Sequence, residues 1–182
     1  RADVAAFCGA AQPSDIIVGS GSVSWTGGLD GGYRRMILHH AGLALAAGGV
    51  DGFLIGSELR GLTRLRDETG AFPFVDALCD LASDVKAMLG AGTVITYAAD
   101  WSEYASYRPD DGSGDVYFNL DPLWAHPAIG AIGIDNYMPL SDWRDDDLIE
   151  DNPDNARHSA DRTALEAAIT SGEGFDWYYA SD

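Results

Sequence analysis

VDGFLIGSELRGL, residues 50–62, decides how the rest of the chain is read. Val50 to Gly56 is read as a buried strand, because its run from Gly52 to Gly56 is unbroken by polar residues and does not alternate, the pattern of a strand covered on both faces. The apolar run stops at Ser57-Glu58, so polar chemistry begins where the strand ends. On its N-terminal side, Tyr33 to Ala47 has good helix formers and no proline, and Gly48-Gly49 stops it as a helix C-cap does. Its expected inner positions are Met36, Ile37, His40, Ala44 and Ala47. On the C-terminal side, Phe74, Val75, Leu78, Leu81, Ala82, Val85, Met88 and Leu89 follow the helical period between Pro73 and Gly90.

Further out the alternation continues. Ile16 to Val18, with Val23 to Trp25 as a second piece, reads as a strand leading into a loop punctuated by Gly19, Gly21, Gly27 and Gly28. Thr93 to Ala98 (TVITYA) and Ala131 to Tyr137 (AIGIDNY) are two more strands, separated by a long polar loop and a short helical turn near Pro122 to Ala125. Strands alternating with helices imply an α/β fold with a parallel sheet and right-handed crossovers. With no internal repeat and no composition break at a linker, residues 1–182 are read as a single domain.

Charge narrows the function classes. Eleven Lys and Arg stand against 29 Asp and Glu, a formal net charge of -18. Binding to nucleic acid or to an anionic membrane surface needs a basic face, so neither partner is expected. No apolar run is long enough to insert in a bilayer, and RADVAAFCGA lacks the basic-then-apolar order of a leader. Cys8 and Cys79 lie in no CxxC or Cys/His cluster, so no zinc site is suggested, and free thiols are favoured over a disulfide. There is no P-loop, and Gly19-Ser20-Gly21 lacks the spacing of a dinucleotide fingerprint, so no cofactor is expected. The acidic run from Asp142 to Asp154 lacks the glycine and the closing glutamate of an EF-hand, and no metal site is assigned.

The candidate site residues cluster just after the strands, where parallel α/β folds build their sites. Glu58 ends a buried strand, where desolvation raises a carboxyl's pKa and suits it to proton donation. The competing reading tethers the loop through an ion pair from Glu58 to Arg60 or Arg64. Asp100-Trp101-Ser102-Glu103-Tyr104 places acids among aromatics, a combination that suits sugars, since carboxylates accept hydroxyl hydrogen bonds and flat rings stack on sugar faces. Its competitor is a packed aromatic loop. Asp135-Asn136-Tyr137 ends the last strand, where Asp135 either enters the site or binds backbone amides. Ser57, Arg60 and Tyr97 complete the expected lining, and Trp143 is a further platform. Adjacent His39 and His40 point apart on a helix, and His40 is read as a hydrogen-bonded core residue.

GGYRRMILHHAGLALAAGGVDGFLIGSELRGLT, TYAADWSEY, GSGDVYFNLDPLWAHPAIGAIGIDNYMPLSDW and GEGFDWYY together resemble the TIM-barrel-like domain of gene-transfer-agent and phage tail host-specificity proteins. The resemblance covers roughly residues 2–180. It implies kinship with glycoside hydrolase barrels and a place in a tail or baseplate of a virion or gene-transfer-agent particle, made in the bacterial cytoplasm. The implied partners are bacterial envelope polysaccharide and other tail proteins. In the related retaining glycosidases an Asn-Glu pair ends strand four and its Glu is the general acid/base. Ser57-Glu58 stands in that place here, so the Glu matches and the Asn does not. A full (β/α)8 barrel takes ~250 residues, so the chain is expected to be a partial TIM-type barrel of about strands three to six, with the second carboxylate outside it. The resemblance thus implies a glycoside-hydrolase-like domain that binds and, with that second carboxylate, hydrolyses envelope polysaccharide, Glu58 protonating the leaving oxygen, while this chain alone would not cleave it. Its open sheet would expose Phe53, Ile55, Ile95, Tyr97, Ile132 and Ile134, or their neighbours one place along, and leave the chain either self-associating through that face or only loosely folded. A non-catalytic baseplate or carbohydrate-binding module on the same barrel is the alternative.

Overall fold

The computed structural model describes residues 1–137, 140 and 156–171. The chain divides into two compact units, Arg1–Asn136 and Tyr137–Asp182. In chain order the first unit contains helix α1 (Ala2–Cys8), a 3-10 turn (Pro13–Asp15), strands β1 (Ile16–Gly19) and β2 (Ser22–Trp25), and helix α2 (Tyr33–Ala46). Then come β3 (Gly52–Ser57), α3 (Arg60–Thr63), α4 (Pro73–Leu89), β4 (Val94–Asp100), α5 (Asp121–Trp124) and β5 (Gly133–Asp135). In the second unit the described helix is α6 (Arg162–Ser171), introduced by an Arg157–Asp161 ion pair and by Asp161 accepting the Thr163 N–H.

The expected parallel alternation holds from residue 52 onward. β3, β4 and β5 form a parallel sheet in that order, with Phe53 opposite Ile95, and Ala98 opposite Gly133. The expectation for the first strand is corrected. Ile16–Trp25 folds back on itself as an antiparallel pair with Ile16 opposite Trp25, and joins a separate two-stranded sheet. The cause is the turn at Ser20-Gly21, where Gly21 sits at φ 73°, a backbone state that glycine adopts without strain. A tight return forces antiparallel pairing, whereas a parallel partner needs a long crossover. The described residues thus contain three parallel strands, not four, and they do not close a barrel.

α4 covers one face of the parallel sheet. Pro73 opens it, Gly90 ends it at φ 90°, and Phe74, Val75, Leu78, Leu81, Ala82 and Val85 are all buried. Fully burying each large member of that stripe contributes about 1.5–3 kcal/mol. They meet Ile55, Ile95, Tyr97 and Ala99 from the sheet, all with no exposed surface. α2 packs beside α4 and turns in a different face from the one expected. Ile37, Leu38, Ala41 and Gly42 are buried, while Met36, His40 and Ala47 are exposed and Ala44 is half-buried. Gly42 explains the rotation, because its missing side chain leaves room for Ile16 and Val23 of the hairpin. His40 instead faces solvent, with Nδ1 against the Met36 carbonyl at 2.8 Å. Arg34 fastens α2 to α4 through Asp84 and to the segment after α1 through the Ala11 carbonyl.

The opposite face of the sheet is open. Leu54 is 53% exposed and Val94 42%. These are the neighbours one place along from Phe53 and Ile95, the expectation's second form. Ile132 and Ile134 of the β5 segment are also exposed.

One irregularity positions everything that follows. The β3–β4 register shifts between Leu54 and Ser57, so Ile55 and Gly56 together stand opposite Tyr97. Such a bulge re-aims the next side chain, and here it brings Ser57 opposite Ala98 on the open face. Gly56 is confined from the helix side: a Cβ there would overlap the Tyr33 hydroxyl and come within 3.0 Å of Tyr97 Cε2. That hydroxyl donates to the Ile55 carbonyl at 2.5 Å. Gly56→Ala should therefore destabilise the fold by about 1–3 kcal/mol. Urea unfolding would show a lower midpoint with an unchanged m value, and an unchanged midpoint would show that the bulge has room to spare.

Candidate functional site

The carboxyl ends of β3, β4 and β5 come together as parallel pairing requires. Asp100 and Asp135 are register partners at the ends of β4 and β5, and partners across a parallel ladder share a face. The Ser57 hydroxyl donates to Asp135 Oδ2 at 2.8 Å, linking β3 to β5 over β4. Asp100 Oδ1 accepts the Ser102 N–H at 2.9 Å and the Ser102 hydroxyl. Those two bonds, with a further contribution from the Arg60 charge, hold the Asp100 carboxyl below its ordinary range. Asp100 and Asp135 are both half-buried and Asn136 is exposed.

Glu58 stands at the turn out of β3. It is the one non-glycine residue with positive φ among the described residues, at 54°. Left-handed backbone costs an L-residue roughly 1–2 kcal/mol, so something must fix it there. Two hydrogen bonds on either side do so. The Glu58 N–H donates to the Ala98 carbonyl at 2.9 Å, and the Leu59 N–H donates to the Tyr97 hydroxyl at 2.6 Å. The side chain itself is exposed and makes no hydrogen bond or ion pair among the described residues. The tethering pair to Arg60 or Arg64 is therefore not formed.

Beneath this mouth lies a dry polar network. Glu103 has no exposed surface. Its Oε1 accepts the Thr63 hydroxyl at 2.7 Å and the Tyr97 hydroxyl at 2.8 Å, and its Oε2 accepts the Asp100 N–H at 3.1 Å. Asn119 adds a second tie, donating to the Thr63 carbonyl at 3.2 Å and accepting the Ser106 N–H at 3.0 Å. Burial, reinforced by the Glu103 charge, pushes the Tyr97 phenol far above its ordinary value.

Of the residues singled out from sequence, the structure brings Ser57, Glu58, Asp100 and Asp135 to one end of the sheet. Half-buried Trp101 and exposed Arg60 border an adjacent groove. Tyr97 and Glu103 are wholly buried, with their polar atoms on each other and on neighbouring backbone. Tyr137 is exposed and belongs to the second unit, and Trp143 lies outside the described residues. The acidic run 142–154 lies outside them as well, and among the described residues no group of three or more His, Cys, Asp or Glu side chains is placed to hold a metal. Cys8 and Cys79 are free, and burial pushes the Cys79 thiol up to about 11. Sequence reasoning missed Thr63 and Asn119, whose roles depend on contacts 40 and 56 residues away. It also passed over Arg64 and Arg108 as lining residues. The Arg60–Arg64 spacing was a readable signal, since residues four apart share one helix face.

Two outcomes follow. Glu58→Gly should raise stability by about 0.5–1 kcal/mol by relieving the left-handed strain, read as a higher urea midpoint. A loss of stability would mean that the Glu58 side chain has a structural partner. For Tyr97, the unfolded phenol ionises near pH ~10 while the buried one keeps its proton. The unfolded state then binds fewer protons, so stability is complete below that pH and falls as pH rises toward the folded pKa. The slope from this residue is up to about 1.4 kcal/mol per pH unit. Tyr97→Phe should lower stability by about 1–3 kcal/mol at neutral pH, because it strands the Leu59 N–H and one Glu103 bond. It should also flatten the alkaline slope by one proton. Urea unfolding across about pH 9–11 checks both, and an unaltered slope would place Tyr97 outside the titrating set.

The described helices include none long and apolar enough to cross a membrane. No curated protein matches the chain. A family model does: residues 31–182 match the GTA TIM-barrel-like domain, where GTA stands for gene transfer agent. That span begins one residue ahead of α2's N-cap and takes in the bulged β3, the strained Glu58 turn and all three strand ends. On that match the chain belongs to the GTA TIM-barrel-like domain family.

Proposed function

We propose that this domain binds bacterial cell-envelope polysaccharide for the tail of a gene-transfer-agent or phage-type particle, as part of a host-specificity protein. In this reading β3, β4 and β5 are an arc of a TIM-type barrel, and the open face that carries Leu54, Val94 and Asp100 looks into its lumen. The observation that carries the reading is the meeting of Glu58, Asp100 and Asp135 at the carboxyl ends of three parallel strands, where barrel enzymes build their sites. Glu58 matters most. Its carboxylate is exposed and unengaged among the described residues, on a strained backbone that buried bonds enforce. Strain of this kind is concentrated at functional sites.

Binding is favoured over cleavage by what surrounds Glu58. Asp135 and Asp100 are both engaged by serines at the strand ends, Asp135 by Ser57 and Asp100 by Ser102. A retaining hydrolase needs a free carboxylate about 5–5.5 Å from the acid, to serve as nucleophile. Ser57 also replaces the amide that the glycosidase pattern would place beside Glu58.

Purified envelope polysaccharide should retard the protein in affinity electrophoresis, with no reducing ends released on long incubation. Absence of retardation by any envelope polysaccharide would overturn the proposal. Release of reducing ends that disappears in Glu58→Gln, with retardation kept, would move the assignment from binding to hydrolysis, with Glu58 as proton donor.

A further inference from the structure

Eleven bases serve this chain, and Arg144 lies outside the described residues. Most of the others are engaged. Arg1 pairs with Asp67, Arg34 with Asp84, Arg157 with Asp161 and Arg162 with Glu166. Arg35, Arg66 and Lys86 donate to backbone carbonyls. Among the described residues three guanidinium groups have neither a hydrogen bond nor a carboxylate within 4 Å: Arg60, Arg64 and Arg108. All three line one groove of about 460 Å³, together with Trp101, Ser102 and Tyr104, and no carboxylate lines it.

This is the opposite of what the composition dictates. With 29 acids available, unpaired arginines scattered over the surface would be expected to find carboxylates, yet three converge where there are none. The groove is also built on a fixed floor. Thr63, at the end of α3, is held by Glu103 through its hydroxyl and by Asn119 through its carbonyl. Asn119 holds the loop on the other side through Ser106 and Tyr107. Tyr104 rests against Phe118 with ring centroids 5.6 Å apart. The arginines therefore project from two segments locked together by buried bonds. The volume lies within the ~300–1,000 Å³ range of ligand pockets.

We infer that this groove is an acidic-glycan subsite, in which Arg60, Arg64 and Arg108 take the carboxylate or phosphate groups of an anionic sugar chain whose rings lie against Trp101 and Tyr104. The inference rests on the glycan-binding reading and names its substrate class. Guanidinium forks match carboxylate and phosphate oxygens in paired hydrogen bonds. Flat aromatic rings beside them suit sugar faces. A nucleic acid fits poorly, because a duplex carries one charge per ~1.7 Å and a protein of net charge -18 repels it away from the groove. Arg60 joins the groove to the mouth, since its charge also acts on Asp100.

The test is calorimetric titration of the whole chain with polygalacturonate, a phosphomannan, neutral dextran and a DNA duplex. At least one acidic glycan should bind about tenfold or more tightly than dextran, and the stronger of the two identifies the anionic group. Arg64→Gln/Arg108→Gln, both exposed side chains, should lose about tenfold in affinity, at up to about fivefold per arginine. Raising salt from about 0.02 M to about 0.2 M should weaken binding in the native chain and much less in the double variant. Dextran binding as tightly as the acidic chains, or the double variant binding unchanged, would overturn the inference and leave the glycan reading standing. So would retardation by envelope polysaccharide with no binding to either acidic probe. Tighter binding to the duplex would overturn it in favour of a nucleic-acid groove. Failure with envelope polysaccharide and with every probe would remove both.

Discussion

The Glu103 carboxylate, buried without exposed surface, is what the architecture of this end of the sheet depends on. A charged group can stay in a dry interior when its oxygens are fully engaged, and here Thr63, Tyr97 and the Asp100 N–H engage them. Each donor belongs to a different piece: α3, the middle of β4 and the end of β4. The carboxylate therefore fixes the loop after β3 against the loop after β4. Removing it would leave Tyr97 and Thr63 with buried donors and no acceptor, at about 1–3 kcal/mol each.

The strain at Glu58 is downstream of that network. Tyr97 can accept the Leu59 N–H because its own proton is committed to Glu103. With Leu59 held there and the Glu58 N–H on Ala98, the backbone between them turns through the left-handed region. The bulge at Ile55-Gly56 supplies the other half of the geometry, because it puts Ser57 on the open face within reach of Asp135. An exposed, unengaged carboxylate thus owes its position to residues that never touch solvent. Natural selection for loop stability alone would place glycine or asparagine at such a φ.

Local patterns were legible in the sequence, and long-range ones were not. α4 could be read almost to the residue because its apolar stripe follows the helical period and Pro73 and Gly90 mark its ends. The parallel strands could be read from their unbroken apolar runs. α2 is the instructive failure. Its weakly patterned sequence fits more than one face, and the choice was made by contact of Gly42 with a hairpin some twenty residues upstream. In sequence, Gly19 to Gly21 is equally compatible with the start of a loop, whereas in the structure the two-residue turn with Gly21 at positive φ reverses the chain into a hairpin. At the site, acids at strand ends could be picked out, but Glu103 and Asp100 look equivalent in sequence. Three residues apart, one is sealed in the core and the other sits half-buried at the rim, a difference fixed by Thr63 and Tyr97 and by no local signal.

The same buried ties account for the uneven electrostatics. Residues 92–182 hold 19 acids and 4 bases, so a basic groove bordered by the first part of that segment runs against its own composition. It persists because the nearby carboxylates are committed elsewhere. Glu103 is turned inward, and Asp100 is held by Ser102. With Glu103 turned inward, Arg64 and Arg108 have no carboxylate within 4 Å among the described residues, and Arg60 acts on Asp100 only from beyond that distance. Local potential follows the nearest unscreened charges, since exposed charges more than about 10 Å away are largely screened at ~0.1 M salt. A net charge of -18 therefore disfavours polyanions over the molecule at large, whereas this groove, among the described residues, presents guanidinium groups with no lining carboxylate. In the proposed glycan reading, specificity would arise from that contrast, because the acidic exterior acts against indiscriminate binding and the buried Glu103 carboxylate shapes the exception.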